Sequence, residues 1–154
     1  MPRHPDLPPV IIGTEDHARL QRVVRELAGQ SHPLASVLDG ELGRADVRRA
    51  DDIPENTVTL DSFVSYRAGP SERPERRLLV LPHDSIWRDA EISVTSPLGI
   101  TLIGLSAGDR MPILGSAMPT PPWVEVLSVG PGATGGIVRR PSVARAAADK
   151  IEPS

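Results

Sequence analysis

The chain contains no cysteine. That excludes disulfide staples, thiolate catalysis and cysteine-ligated metals, and it suits a reducing compartment. Aromatic residues are scarce, with two Trp, one Tyr and one Phe among 154 residues. Burial has to come from Val, Ile and Leu, and an aromatic-lined ligand pocket is hard to assemble. No apolar run approaches the roughly 18 residues of a membrane span. The opening MPRHPDLPP is proline-rich and lacks the apolar run of a secretory signal. A soluble, cytoplasmic, monomeric protein with no membrane contact is the expectation.

Other absences narrow the chemistry. The histidines are His4, His17, His32 and His83, none three or four residues from another, and no HExxH occurs. Neither a metal nor a cofactor is therefore expected. There is no G-x-S-x-G elbow for serine hydrolysis. Gly130, Gly132 and Gly135 spell GxGxxG after a strand-like run. A dinucleotide site needs a following helix and a second parallel strand, so these glycines are read as part of a flexible tail. Asp51 and Asp52 are adjacent, and neighbours in extended chain point to opposite sides. They read as a solvated connection rather than a metal site.

The net charge is −3. Residues 51–130 carry eleven acidic against six basic side chains, whereas 131–154 carry four basic against two acidic. An acidic main domain is a poor binder of phosphate backbones. No sequence-specific nucleic-acid binding is expected, and a protein or small-molecule partner is favoured.

Val10 to Ile12 is a short strand ended by Gly13. Thr14 then caps a helix, with Glu15 and Asp16 where the helix dipole favours negative charge. Leu20, Val23, Val24 and Leu27 give this helix one apolar face, and Gly29 stops it. Pro33 opens a second helix with a stripe of Leu34, Val37, Leu38 and Leu42, which Gly40 and Gly43 weaken and bring to an end. Two apolar stripes joined by a short polar turn make an antiparallel hairpin. Its first arm is about 22 Å long at 1.5 Å per residue.

From Val47 the pattern becomes strands. Val58, Leu60, Val64 and Tyr66 share one parity, as a half-buried strand requires. Arg77 to Leu81, Ile92 to Thr95, Met111 to Leu114 and Trp123 to Val129 are further strands. Ser96 to Asp109, SPLGITLIGLSAGD, has the marks of a short helix. Ser96 caps it, Pro97 occupies the first position, and Leu98, Leu102 and Leu105 recur at helical spacing. Gly108 is the expected left-handed stop. The division is an N-terminal extension (1–13), a hairpin (14–45), a sheet domain (46–130) and a tail (131–154).

This helix segment resembles the SPxAxxLxGxxxGD stretch of the bacterial Gre transcript-cleavage factors. IPENTVTLDSFVSY, RRLLVLP, EISVTSPLGITLIGLSAGD and WVEVLSV follow in matching order. The chain is most similar to the shorter Rnk branch of the family, named for regulation of nucleoside diphosphate kinase. PVIIGTEDHARLQRVV and PLASVLDGELGRADV extend the likeness. The resemblance implies an α+β, FKBP-like fold: an antiparallel sheet with one short helix, preceded by a short helical hairpin. It implies a non-enzymatic regulator whose partner is core RNA polymerase, bound near the secondary channel through Thr95, Ser96, Pro97 and Leu98. Many Gre sequences carry an acid where this chain has Thr95. In cleavage factors, tip carboxylates help to hold a catalytic metal. Here the tip is Gln30, Ser31 and His32, and the nearest acids are Glu26 and Asp39. Competition with cleavage factors, without cleavage, is the expected activity. The rival readings are regulation of nucleotide metabolism through nucleoside diphosphate kinase, and an FKBP-like peptidyl-prolyl isomerase, which the few aromatics disfavour.

Overall fold

The computed structural model describes residues 7–130. The expected tail, 131–154, with Gly132 and Gly135, lies outside the described residues. A buried strand, β1 (Ile11–Gly13), runs straight into helix α1 (Thr14–Gly29). Gly13, not Thr14, is the capping residue, and no side chain bonds to the first turn. Thr14 is already helical because the extended chain of β1 continues through Gly13 and leaves no earlier turn to cap. Leu20, Val23 and Leu27 bury one face of α1.

Helix α2 (Leu34–Arg44) returns against α1. It passes through Gly40 and Gly43 instead of ending at them. Both glycines face open space, so neither breaks a contact. Burial of Leu38 and Leu42 holds the helix across them. Strand β2 (Asp46–Arg48) then pairs parallel with β1. His17 Nε2 lies 3.2 Å from the Leu42 carbonyl oxygen and links the two helices.

The main sheet contains β3 (Phe63–Ala68), β4 (Glu75–Val80), β5 (Glu91–Ser93), β6 (Arg110–Pro112) and β7 (Trp123–Val129). Its order is β5-β4-β3-β7-β6. All pairings are antiparallel except β4 with β5. Val64 and Tyr66 of β3 and Val124 and Val126 of β7 are buried, as a sheet with one packed face requires. Val58 and Leu60 are buried too, but they are not in β3. Asp61 takes a positive φ of 66° and turns the chain between them, so one parity run spans two segments. Leu20, Val23, Leu27, Leu38 and Leu42 of the hairpin belong to the same core cluster as these sheet residues.

Helix α3 is Pro97–Leu102, shorter than its glycine punctuation implies. After Leu102 the chain turns extended, with Gly104 at φ +84°. The backbone there is needed elsewhere. Ile11 N–H donates to the Gly104 carbonyl (3.0 Å), and Gly104 N–H donates to the Val58 carbonyl (2.9 Å). Val58 N–H donates in turn to the Leu105 carbonyl (2.8 Å). A longer helix would consume these groups. Gly108, at φ +95°, sits in a later turn closed by Ser106 N–H donating to Asp109 Oδ2 at 2.8 Å.

Gly99 is the close-packed glycine of α3: a Cβ there would run into the Ser93 carbonyl of β5. Gly99→Ala should therefore cost about 2–3 kcal/mol through overpacking, whereas Gly40→Ala, in open space on α2, should gain about 0.5–1 kcal/mol. Urea unfolding of both variants checks this. A neutral Gly99→Ala would remove the close-packing account.

Tyr66, the one tyrosine of the chain, is 2% exposed and donates to Glu75 Oε1 at 3.2 Å. Burial pushes its pKa up to about 12, Arg77 pulls it down, and Glu75 adds to the rise. The unfolded value is about 10. The folded state thus holds the proton more tightly, and the resulting stability is complete below pH about 10 and lost as pH climbs through about 12. Tyrosinate absorbance should rise near pH 12 in the folded chain. A midpoint near 10 with the fold intact would contradict this.

Candidate functional site

The loop from Thr95 to Leu98 is set by side-chain hydrogen bonds, with Leu98 packed against the core. Thr95 N–H donates to Ser93 Oγ at 3.0 Å, and the two hydroxyls lie 2.7 Å apart. Ser96 Oγ accepts from Gly99 N–H at 3.0 Å and donates to the Ser93 carbonyl at 2.8 Å. The cap that the sequence proposes is therefore formed, and it is shared with the end of β5. Pro97 occupies the first helical position. Thr95, Ser96, Pro97 and Leu98 are all half-buried.

The far side of α3 is fixed by Thr101. Its hydroxyl donates to the Pro97 carbonyl (2.7 Å) and accepts from Leu114 N–H (2.8 Å). This bond brings the segment after β6 against the helix. Gly115 follows, and a Cβ there would lie 2.7 Å from Leu34 Cδ2 and 3.9 Å from Pro97 Cβ. Leu34 opens α2, so the hairpin and the Ser96–Pro97 loop are neighbours. No sequence pattern signals that proximity, because it depends on a turn far along the chain.

At the tip, Gln30 and Ser31 are exposed. Ser31 takes the left-handed conformation (φ 56°) that glycine favours, although Gly29 lies two residues earlier. Its N–H donates to the Ala28 carbonyl (3.0 Å), and His32 N–H donates to the Leu27 carbonyl (2.9 Å). Those bonds close the last turn two residues past the glycine. His32 is half-buried, not simply solvated: its Nδ1 accepts from Leu34 N–H at 3.1 Å. It thus serves the start of α2. Glu26, the acid nearest the tip on α1, lies 3.2 Å from His83 Nε2, in the 3₁₀ turn Pro82–Asp84. Near the tip, the first arm thus meets His83 through Glu26, and the second meets Gly115 through Leu34.

One residue that sequence reasoning passed over organises the adjoining surface. Glu91, 5% exposed, accepts through Oε1 from Ser85 Oγ (3.1 Å), Ile86 N–H (2.7 Å) and Trp87 N–H (3.0 Å). That carboxylate holds Ile86 and Trp87 outward, at 54% and 43% exposure. An acid opening a strand was the available signal, but its partners lie in a segment without periodicity. Asp51 and Asp52 are exposed, and Asp51 sits 3.7 Å from Arg49. Among the described residues, no group of three or more His, Asp or Glu could hold a metal ion, and no helix is long and apolar enough to cross a membrane.

The site thus sits where a short helical hairpin meets a sheet with one capped helix. The family "Transcription elongation factor, GreA/GreB, C-term" matches residues 53–129, and "Rnk N-terminus" matches residues 8–47. The chain belongs to the GreA/GreB family of transcription elongation factors, in the branch with an Rnk-type N-terminus. Curated relatives from Escherichia coli (strain K12) and Shigella flexneri, each called regulator of nucleoside diphosphate kinase, are 31% identical over 104 residues. The match covers 68% of this chain and 76% of theirs. The solved GreA/GreB elongation factor from Nitrosomonas europaea is similar at 30% identity and a TM-score of 0.63, over 78% of this chain and 98% of that one. These relatives are named as regulators and elongation factors, not as enzymes.

Removing the shared cap tests how firmly the loop is set. Ser96→Ala should lose about 1 kcal/mol, within the range for helix N-caps. The shift in urea midpoint measures it. No shift would mean that packing alone holds the turn.

Proposed function

We propose that this protein is a non-enzymatic regulator that binds core RNA polymerase beside its secondary channel. It competes there with cleavage-active Gre factors and does not stimulate cleavage. The observation that carries this reading is the tip: Gln30, Ser31 and His32 supply no carboxylate, and Glu26 is turned to His83. A tip without acids has no means of holding a catalytic metal. Membership of the GreA/GreB family supports polymerase as the partner.

Thr95, Ser96, Pro97 and Leu98 are the proposed contact loop. The hairpin beside it would obstruct the channel mouth. The relatives' name favours a second reading, in which the partner is nucleoside diphosphate kinase.

The test is a competition on stalled elongation complexes. Added with a cleavage-active Gre factor, this chain should displace it and suppress transcript shortening, while giving no shortening alone. Thr95→Arg should weaken binding about tenfold, the scale of one well-placed interface residue. Binding to nucleoside diphosphate kinase without binding to polymerase would favour the second reading and overturn the first.

A further inference from the structure

The outward face of the main sheet carries a charge opposite to that of its domain. Val64 and Tyr66 of β3, Met111 of β6, and Val124 and Val126 of β7 belong to the core. Their neighbours along each strand therefore point outward. Ser65 of β3 pairs with Arg76 of β4 on one side and with Ser128 of β7 on the other. Arg67 pairs with Glu125, which pairs in turn with Arg110 of β6. Arg67, Arg76 and Arg110 thus share one face, and Glu125 lies among them, 3.6 Å from Arg67. Glu91 opens β5 on the same side, but it is buried and held by the 85–87 segment. Glu75 lies on the opposite face with Tyr66 and Arg77. Three of the six basic side chains of residues 51–130 therefore gather in one place, although that region has eleven acids.

Two of the guanidiniums are braced on rings. Arg76 lies 4.2 Å from the Phe63 ring centroid, and Arg110 lies 4.0 Å from that of Trp123. Both arginines are exposed, and neither forms an ion pair among the described residues. A guanidinium held over a ring offers its outer side and its N–H groups with little further ordering. Ser65 and Ser128 lie between the two stacks, and their hydroxyls bond to no group among the described residues. The stacks are three strand spacings apart across the sheet, about 14 Å.

These features select the partner. Three cations around one carboxylate attract an anionic chain. An acidic peptide would satisfy the charges and leave the stacks unused. A single nucleic-acid strand uses both, because its phosphates pair with guanidiniums and its bases stack on them. The serine hydroxyls suit the ribose 2′-OH, which DNA lacks. The positive face ends at Arg76. Beyond it, past Gly130, lies a cleft lined by Glu15, Asp16, Glu55 and Asp61, which repels phosphate. We propose that the outward sheet face binds single-stranded RNA without sequence preference, the strand crossing between Arg76 and Arg110.

The experiment is fluorescence anisotropy of a labelled oligoadenylate of about ten nucleotides, titrated with the full chain. No polymerase is present, so the result is independent of the polymerase reading. Binding should weaken about fourfold for each doubling of salt, as three phosphate contacts imply. Arg76→Gln/Arg110→Gln should bind about tenfold more weakly. Ser128→Glu leaves both stacks in place and should bind about threefold more weakly. Circular dichroism checks that each variant folds. Absence of binding, or binding that both variants leave unchanged, overturns the proposal. Equal affinity for the matching deoxyoligonucleotide overturns the assignment to RNA. Displacement of the RNA by an equimolar glutamate decapeptide would assign the face to an acidic protein and overturn it as well.

Discussion

Three distant parts of the chain meet at Gly104. Its carbonyl accepts from Ile11 in β1, and its N–H donates to Val58 on the way to β3. The residue just before it leaves α3. The site has no room for a side chain, because a Cβ would strike Val10 Cγ1, and its φ of +84° favours glycine. β1 leads directly into α1, so fixing β1 also sets where the hairpin begins. The hairpin, the sheet and the short helix share one core because their backbones are joined at this point.

The same junction explains what could and could not be read beforehand. Ser96 and Pro97 announce α3 because capping is local, and the cap forms as expected. The end of α3 is not local. Gly108 looks like a stop, yet the helix ends six residues earlier, where β1 and Val58 claim the backbone. Gly99 and Gly104 look like weaknesses in a helix. One permits close approach to β5, and the other serves the junction.

At the candidate site, the helix start at Ser96 and Pro97 was legible and its neighbours were not. Gly115 joins Leu34 to Pro97, and Glu91 collects the 85–87 segment. Neither contact leaves a periodic trace. Apolar stripes supplied the hairpin, parity the strands and family likeness the sheet's topology, but none of them the angle between hairpin and sheet. Bearing on it are the core that the hairpin shares with the sheet and two contacts near the tip, Glu26 with His83 and Leu34 beside Gly115.

Those flanking contacts have a kinetic consequence. A hairpin that swings freely has to be brought to rest when a partner meets it, and ordering opposes association. Here Leu34 lies beside the Gly115 turn and Glu26 pairs with His83, so both arms of the hairpin touch the sheet domain. A partner that recognises this end would meet a surface already tied to the sheet domain by those contacts. Contacts made in folding lower the ordering cost that such an encounter would carry.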